Sequence, residues 1–146
     1  AQYSSRFDFL GFESTHSAAK LAYAQAGITN PFSQIDVAEV HDCFTITEVV
    51  NYEDLGFCKR GEGREFVTGG VSGPGGDLPV NTSGGLKACG HPIGATGVRM
   101  MVDIVDQIWG RAGERQVPGA RTGLAHALGG PGSLACVAVV STNYES

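Results

Sequence analysis

The sequence predicts an α/β layered domain, and three observations carry that expectation. Helical apolar spacing and strand-like patterns follow one another in the order helix, strand, helix, glycine-rich loops, helix, strand, strand. Apolar residues make up 42% of the chain and charged residues 17%, a balance that buries a core and is too hydrophobic for intrinsic disorder. Glycine accounts for 22 of 146 residues, about twice ordinary usage, and it crowds the region after Leu55, so tight loops must join the elements. A chain of this length is one domain or a piece of a larger one.

From Ser14 to Ala26, the residues Ala18, Ala19, Leu21, Ala22 and Ala26 keep helical spacing, and Gly27 stands where a left-handed cap belongs. A Thr29-Asn30-Pro31 turn follows. Ile35 to Val40 is then short, partly β-branched and apolar at alternate positions, as expected for a strand in a covered sheet. Asp42 is placed to cap a second helix carrying Phe44, Ile46, Val49, Val50 and Leu55, which Gly56 stops. From Gly56 to Gly97 periodicity gives way to Gly73-Pro74-Gly75-Gly76, Gly84-Gly85 and similar clusters, which read as long functional loops. Val98, Met101, Val102, Val105, Ile108 and Trp109 mark a third helix ending at Gly110. Gly123 to Leu128 and Ser133 to Val140 flank a Gly129-Gly130-Pro131-Gly132 turn and predict an antiparallel strand pair. The order of elements begins on a helix, without the strand that should precede it.

Ten Lys and Arg against fifteen Asp and Glu give a net charge of −5, which speaks against nucleic acid or an anionic membrane as the main partner and leaves room for a local anion site. No apolar run approaches the ~20 residues of a membrane span, and residues 1–6 form no signal-peptide core, so a soluble, cytoplasmic protein is expected. Cys43, Cys58, Cys89 and Cys136 show no C-x-x-C spacing and read as free thiols.

The residues able to carry chemistry are few. Cys43 falls, on this reading, in the first turn of a helix that favours a thiolate, with His41 two residues away; the alternative is a cysteine packed as a small hydrophobe. His91 sits between Gly90 and Pro92, in a stiff loop ahead of a helix, and suits a general base or an oxyanion donor as well as it suits a surface turn. His126 lies on a strand pattern before the glycine turn and is a secondary candidate. Cys89, two residues before His91, reads as packed. Thiolate and imidazole together support acid/base or nucleophilic chemistry at a carbonyl. Metal binding is disfavoured, because no two ligands share a helix face or a short loop. The run Lys59 to Arg64 lacks a P-loop ending and reads as a solvated loop.

At these residues the chain resembles the C-terminal part of a thiolase of the sterol-carrier-protein type. Asn81 to Gly97, with Gly90-His91-Pro92 at its centre, is similar to the thiolase Gly-His-Pro signature. His41-Asp42-Cys43-Phe44 resembles the form this subtype has where other thiolases carry Asn-Glu-Ala-Phe. Tyr52 to Phe57 and Arg115 to Val117 are also similar to the subtype, and Ala125 to Gly130 stands in the place of a Cys-x-Gly loop, with His126 where the cysteine is usual. The resemblance covers nearly the whole chain. It implies the C-terminal half of a thiolase fold, a layered mixed sheet covered by helices and ending in an antiparallel pair.

The resemblance also implies roles. His91 would activate a nucleophilic cysteine and donate to a thioester oxyanion, His41 would help form that oxyanion hole, Cys43 would transfer protons, and His126 would stand among the catalytic loops. Leu128 and Gly129, with Gly90 and Gly85, would serve oxyanion and substrate binding. The acyl-accepting cysteine belongs to an N-terminal domain that these residues do not include, so an N-terminal thiolase domain or subunit is the expected partner. Coenzyme A or an acyl-CoA is the implied substrate, with no covalently bound cofactor. A dimer or tetramer and a small oligonucleotide-fold partner that binds acyl-CoA are implied as well. Three functions follow: Claisen condensation or thiolysis of a 3-oxoacyl-CoA, CoA-ester aldolase chemistry, or non-catalytic binding and assembly.

Overall fold

The computed structural model describes residues 10–130 and 132–142. In chain order it contains α1 (Glu13–Ala26), α2 (Pro31–Gln34), β1 (Val37–Val40), α3 (Thr45–Asp54), α4 (Gly63–Thr68), α5 (Gly85–Cys89), α6 (Thr96–Ile108), a 3-10 turn over Gly113–Arg115, β2 (Thr122–Gly129) and β3 (Leu134–Ser141). The expected mixed α/β class is present. The strands lie in the order β1-β2-β3; β1 runs parallel to β2 with Val40 opposite His126, and β2 runs antiparallel to β3 with Leu124 opposite Val139.

Both faces of the sheet are covered, because side chains alternate across it. Ala38, Val40 and Leu124 pack with Ala19 of α1, Tyr52 and Leu55 around α3, and Phe66 of α4. Val37 and Ala125 point the other way, onto Met100 and Ile104 of α6. Leu124, Met100 and Ile104 are fully buried, and burial of each such side chain contributes about 1.5–3 kcal/mol. Glycine at 123 lets α6 approach: a Cβ there would stand 2.5 Å from Ile104 Cγ2.

Most predicted elements are present, with instructive differences. α1 ends at Gly27, whose φ of 69° lets its N–H reach the Tyr23 carbonyl. The Thr29-Asn30-Pro31 turn continues into a single helical turn, α2, because Pro31 suits a first helical position and Gln34 Oε1 accepts from the N–H groups of Thr29 and Asn30 at 2.8 and 2.7 Å. β1 therefore begins at Val37 and not at Ile35. Asp36 instead accepts from the N–H groups of Arg121 and Thr122, both at 2.8 Å, tying the start of β1 to β2. The glycine-rich region is less irregular than expected, since it folds α4 and α5 between its turns. Part of the glycine turn, Pro131, and the segment where a strand before α1 would fall, residues 1–9, lie outside the described residues. Among the described residues no helix is long and apolar enough to cross a membrane.

Candidate functional site

In open α/β sheets ligands bind beyond the carboxyl ends of parallel strands, and here three of the four histidines gather there. His41 follows β1 directly, His126 lies opposite Val40 on β2, and the Gly90-His91-Pro92 loop ahead of α6 brings in His91. A pocket of about 780 Å³ is lined by His41, Cys43, His91, His126, Leu128 and Gly129. Phe44, Ile93, Val98 and Leu134 make an apolar, exposed rim around it. Six of the eight residues singled out in the sequence thus meet in one place.

Gly85 and Gly90 do not line that pocket; both are backbone devices. Gly85 is buried with φ at 66°, and a Cβ on it would lie 2.3 Å from Asp42 Oδ2. Gly90 has φ at 80° and ψ at 173°, a conformation that favours glycine and leads the chain from α5 into His91.

Asp42 does not cap the helix that follows it. The N-cap of α3 is Phe44, and the Asp42 carboxylate, almost fully buried, accepts from Leu86 N–H at 2.7 Å and faces Lys87 Nζ at 3.4 Å. It caps α5, a helix from another part of the chain, because Gly84-Gly85 lets that backbone come close enough. Cys43 consequently stands two residues ahead of Thr45, outside the first turn of α3, and the helix-dipole argument for its thiolate does not hold. Cys43 is exposed at the pocket wall. Cys136, read as an unassigned thiol, shares that pocket, whereas Cys89 is exposed, its S–H directed to the Ser83 carbonyl at 3.3 Å. Burial pushes the Cys58 thiol up to about 11, which leaves it inert at neutral pH.

The contact with Thr96 orients the His91 ring and turns Nε2 to the pocket. His91 Nδ1 lies 2.7 Å from Thr96 Oγ1, and the Thr96 hydroxyl donates to the Pro92 carbonyl at 3.2 Å. With the hydroxyl proton given to that carbonyl, Nδ1–H is the donor to Oγ1 and the lone pair of the neutral ring is on Nε2. His41 stands edge-on to this ring and is buried to 4% exposure, its Nδ1 without a protein partner. Burial, and next the positive charge His91 can carry, lower the His41 pKa; Asp42 opposes the shift. Burial and the neighbouring His41 lower His126 further, to about 3, so it is neutral at physiological pH. His126 is fully buried, and both of its ring nitrogens are engaged: Nδ1 accepts from His41 N–H at 3.4 Å, and Nε2 lies 3.0 Å from Thr15 Oγ1.

Four residues of the site were not singled out from the sequence, although Asn81 and Thr96 lie within the segment that resembles the Gly-His-Pro signature. Asn81 holds the end of β1 by accepting from Val40 N–H at 2.8 Å, in a left-handed conformation with φ at 55°. Thr96 orients His91. Thr15 and Asn51, fully buried on α1 and α3, contact His126 and His41. The available signal for these two is a polar residue on the buried face of an amphipathic helix, which needs a partner.

Residues 1–142 match the family of thiolase C-terminal domain-like sequences. The chain is 46% identical over 136 residues to an acetyl-CoA acetyltransferase of Methanothermobacter thermautotrophicus, covering 93% of this chain and 35% of that protein. It is 43% identical to human sterol carrier protein 2, again over 93% of this chain, and spans 24% of that relative. Among solved structures, one described as an Ltp2-ChsH2(DUF35) aldolase superposes with a TM-score of 0.77 at 27% identity, covering 95% of this chain and 35% of that one. The chain therefore spans about a quarter to a third of the length of these relatives.

Proposed function

The chain belongs to the thiolase C-terminal domain-like family, and from that premise we propose that it is the C-terminal portion of a thiolase-type acyltransferase acting on a 3-oxoacyl-CoA. The observation that carries this reading is the convergence of His91, His41 and Cys43 on one apolar pocket, with Nε2 of His91 free to accept a proton. An N-terminal domain or chain supplies the nucleophilic cysteine, and the apolar rim of Phe44, Ile93, Val98 and Leu134 suits packing against it.

In thiolysis that cysteine attacks the 3-oxo carbon, after His91 Nε2 has accepted the thiol proton. The bond between C2 and C3 breaks, leaving an acyl-cysteine and the enolate of acetyl-CoA. His91, now cationic, donates to the thioester oxygen where the enolate charge collects, and His41 stands beside it as a second donor. Cys43 delivers a proton to C2, releasing acetyl-CoA. The coenzyme A thiol then gives its proton to the Cys43 thiolate and takes the acyl group from the cysteine, which recovers its own proton from His91. Condensation is the same sequence reversed. Leu128 and Gly129 at the end of β2 line the same pocket, and this reading gives them the acyl group to bind.

The test is thiolysis by the whole enzyme carrying His91→Ala. General acid/base catalysis contributes about 10²–10⁴-fold, and a loss of that size is expected; unchanged activity removes His91 from the mechanism.

A second reading is favoured by the likeness to the aldolase structure. In that case the same donors stabilise the enolate released from a 3-hydroxyacyl-CoA and no acyl-cysteine forms. Cleavage of a 3-hydroxyacyl-CoA without added coenzyme A selects it. If Cys43→Ala and His91→Ala both leave the activity of the assembly intact, the chain is a binding or assembly component. Self-association to a dimer or tetramer, and pairing with an oligonucleotide-fold acyl-CoA carrier, belong to the same proposal and are read by native mass.

A further inference from the structure

Four side-chain and main-chain groups beneath the pocket form a closed circuit of hydrogen bonds that starts and ends on one residue. The N–H of His41 faces His126 Nδ1 at 3.4 Å; His126 Nε2 lies 3.0 Å from Thr15 Oγ1; the Thr15 hydroxyl lies 3.3 Å from Asn51 Oδ1; and Asn51 Nδ2 donates to the His41 carbonyl at 3.1 Å. The direction of every bond is forced. A main-chain N–H can only donate, so His126 Nδ1 is an acceptor and its ring proton sits on Nε2. That proton goes to Thr15 Oγ1, the hydroxyl proton goes to Asn51 Oδ1, and the amide of Asn51 returns a proton to the carbonyl oxygen of His41. Each donor has one acceptor, and Thr15, Asn51 and His126 are all fully buried, so water does not substitute for a missing partner.

We propose that Thr15, Asn51 and His126 are one positioning unit, whose task is to hold the peptide groups on both sides of the His41 side chain, and that His126 is a fixed neutral spacer and not a proton-transfer group. This rests on the reading of the pocket as an acyl-CoA site and deepens it. The geometry gives the reason. A second proton on His126 would place Nδ1–H against His41 N–H, two donors facing each other, and the circuit would open. His41 needs such a hold because its own Nδ1 has no protein partner and its ring stands in edge contact with His91 at 5.1 Å between centroids. Its orientation is therefore set by its main chain and not by side-chain hydrogen bonding through that nitrogen. Thr15 and Asn51 touch no pocket surface. Thr15 acts two hydrogen bonds away, through His126, and Asn51 acts directly on the carbonyl of His41.

The experiment uses the complete enzyme, nucleophile-bearing segment included, with two readouts. The first is the ring-nitrogen spectrum of isotope-labelled histidines between about pH 5 and pH 8. His126 is expected to show Nδ1 unprotonated and Nε2 protonated throughout, and a His126 that titrates in this range overturns the proposal. The second is kinetics of the Thr15→Val and Thr15→Ser variants. Thr15→Val keeps the shape and removes the hydroxyl; a displaced His41 lowers kcat by about 10²-fold with KM nearly unchanged, and Thr15→Ser restores most of it. A Thr15→Val enzyme that melts earlier but keeps its kcat shows the circuit to be merely structural and overturns the proposal, as does a Thr15→Ser enzyme no better than Thr15→Val. If the parent enzyme shows the fixed tautomer yet turns over no CoA ester, the reading of the pocket fails while the circuit stands.

Discussion

The imidazoles of His41 and His91 meet edge to face, with ring centroids 5.1 Å apart and planes at 86°. The two come from segments fifty residues apart in number, one at the end of β1 and one ahead of α6, and the pocket opens between them. Burial first, and then charge on His91, discourage protonation of His41. On the proposed reading, in which a proton moves between a nucleophile and a thioester oxygen, that arrangement serves the site.

The Thr96 hydroxyl fixes which nitrogen of His91 faces the pocket. Thr96→Val removes the acceptor for Nδ1–H, a hydrogen bond contributing about 1 kcal/mol, and kcat should fall by several-fold to tenfold. Thr96→Ser should retain near-parental turnover. Steady-state thiolysis over a range of pH distinguishes the two, because the valine variant also allows the other tautomer.

Gly85→Ala should destabilise the fold. Its φ of 66° is unfavourable for alanine, and the new methyl would meet the Asp42 carboxylate. Strain of this kind costs about 1–3 kcal/mol, seen as an earlier thermal midpoint. The same change disturbs the cap on α5 and with it the Gly90-His91 turn, so activity should decline even below the melting range.

Acid should weaken the fold through His126. An ordinary histidine takes up its proton near pH 6.5, whereas the folded pKa of His126 is pushed down to about 3. Below pH 6.5 the unfolded chain gains a proton that the folded chain refuses, so this contribution to stability is present above 6.5 and lost as pH falls. At pH 5 it amounts to about 2 kcal/mol. His41, also lowered, acts in the same direction, while Glu39 and Asp54, whose carboxyls burial pushes up, act in the opposite one. Comparing thermal midpoints of the parent and His126→Asn at about pH 7.5 and about pH 5 isolates the histidine; the variant should lose less on acidification.

Leu124→Ala probes the packing behind the site. Leu124 is fully buried on the central strand between α1 and α3, and a cavity there costs about 2–5 kcal/mol. Chemical denaturation of the whole enzyme measures it, and a loss below 1 kcal/mol would mean the layer collapses readily to fill the space.

The helices and the strand pair were legible because each rests on local patterns, such as period-3.6 apolar spacing for α6 and glycine at 27, whereas the gathering of His41, Cys43 and His91 was implied only by the family resemblance. What was not legible is non-local. Asp42 looks like the cap of α3 from its position alone, but its partner is Leu86, 44 residues on, reachable only because two glycines bring that backbone in. The turn after Asn30 became α2 through a side chain four residues away, Gln34. Thr15 and Asn51 look like ordinary helix positions, since their meaning depends on what β2 places against them. In each case a tertiary partner decided between local options of similar free energy.

The circuit around His41 also bears on the order in which the chain acquires its parts. The N–H of His41 and the ring of His126 are 85 residues apart, and Thr15 and His126 are 111 apart. Contacts of such long sequence separation close late, because the loop entropy of the intervening chain must be overcome before they add anything. During synthesis α1, β1 and α3 emerge well before β2 does. A nascent chain that lacks β2 and β3 therefore lacks the His126 side of the pocket, and the circuit around His41 closes only with the last strands.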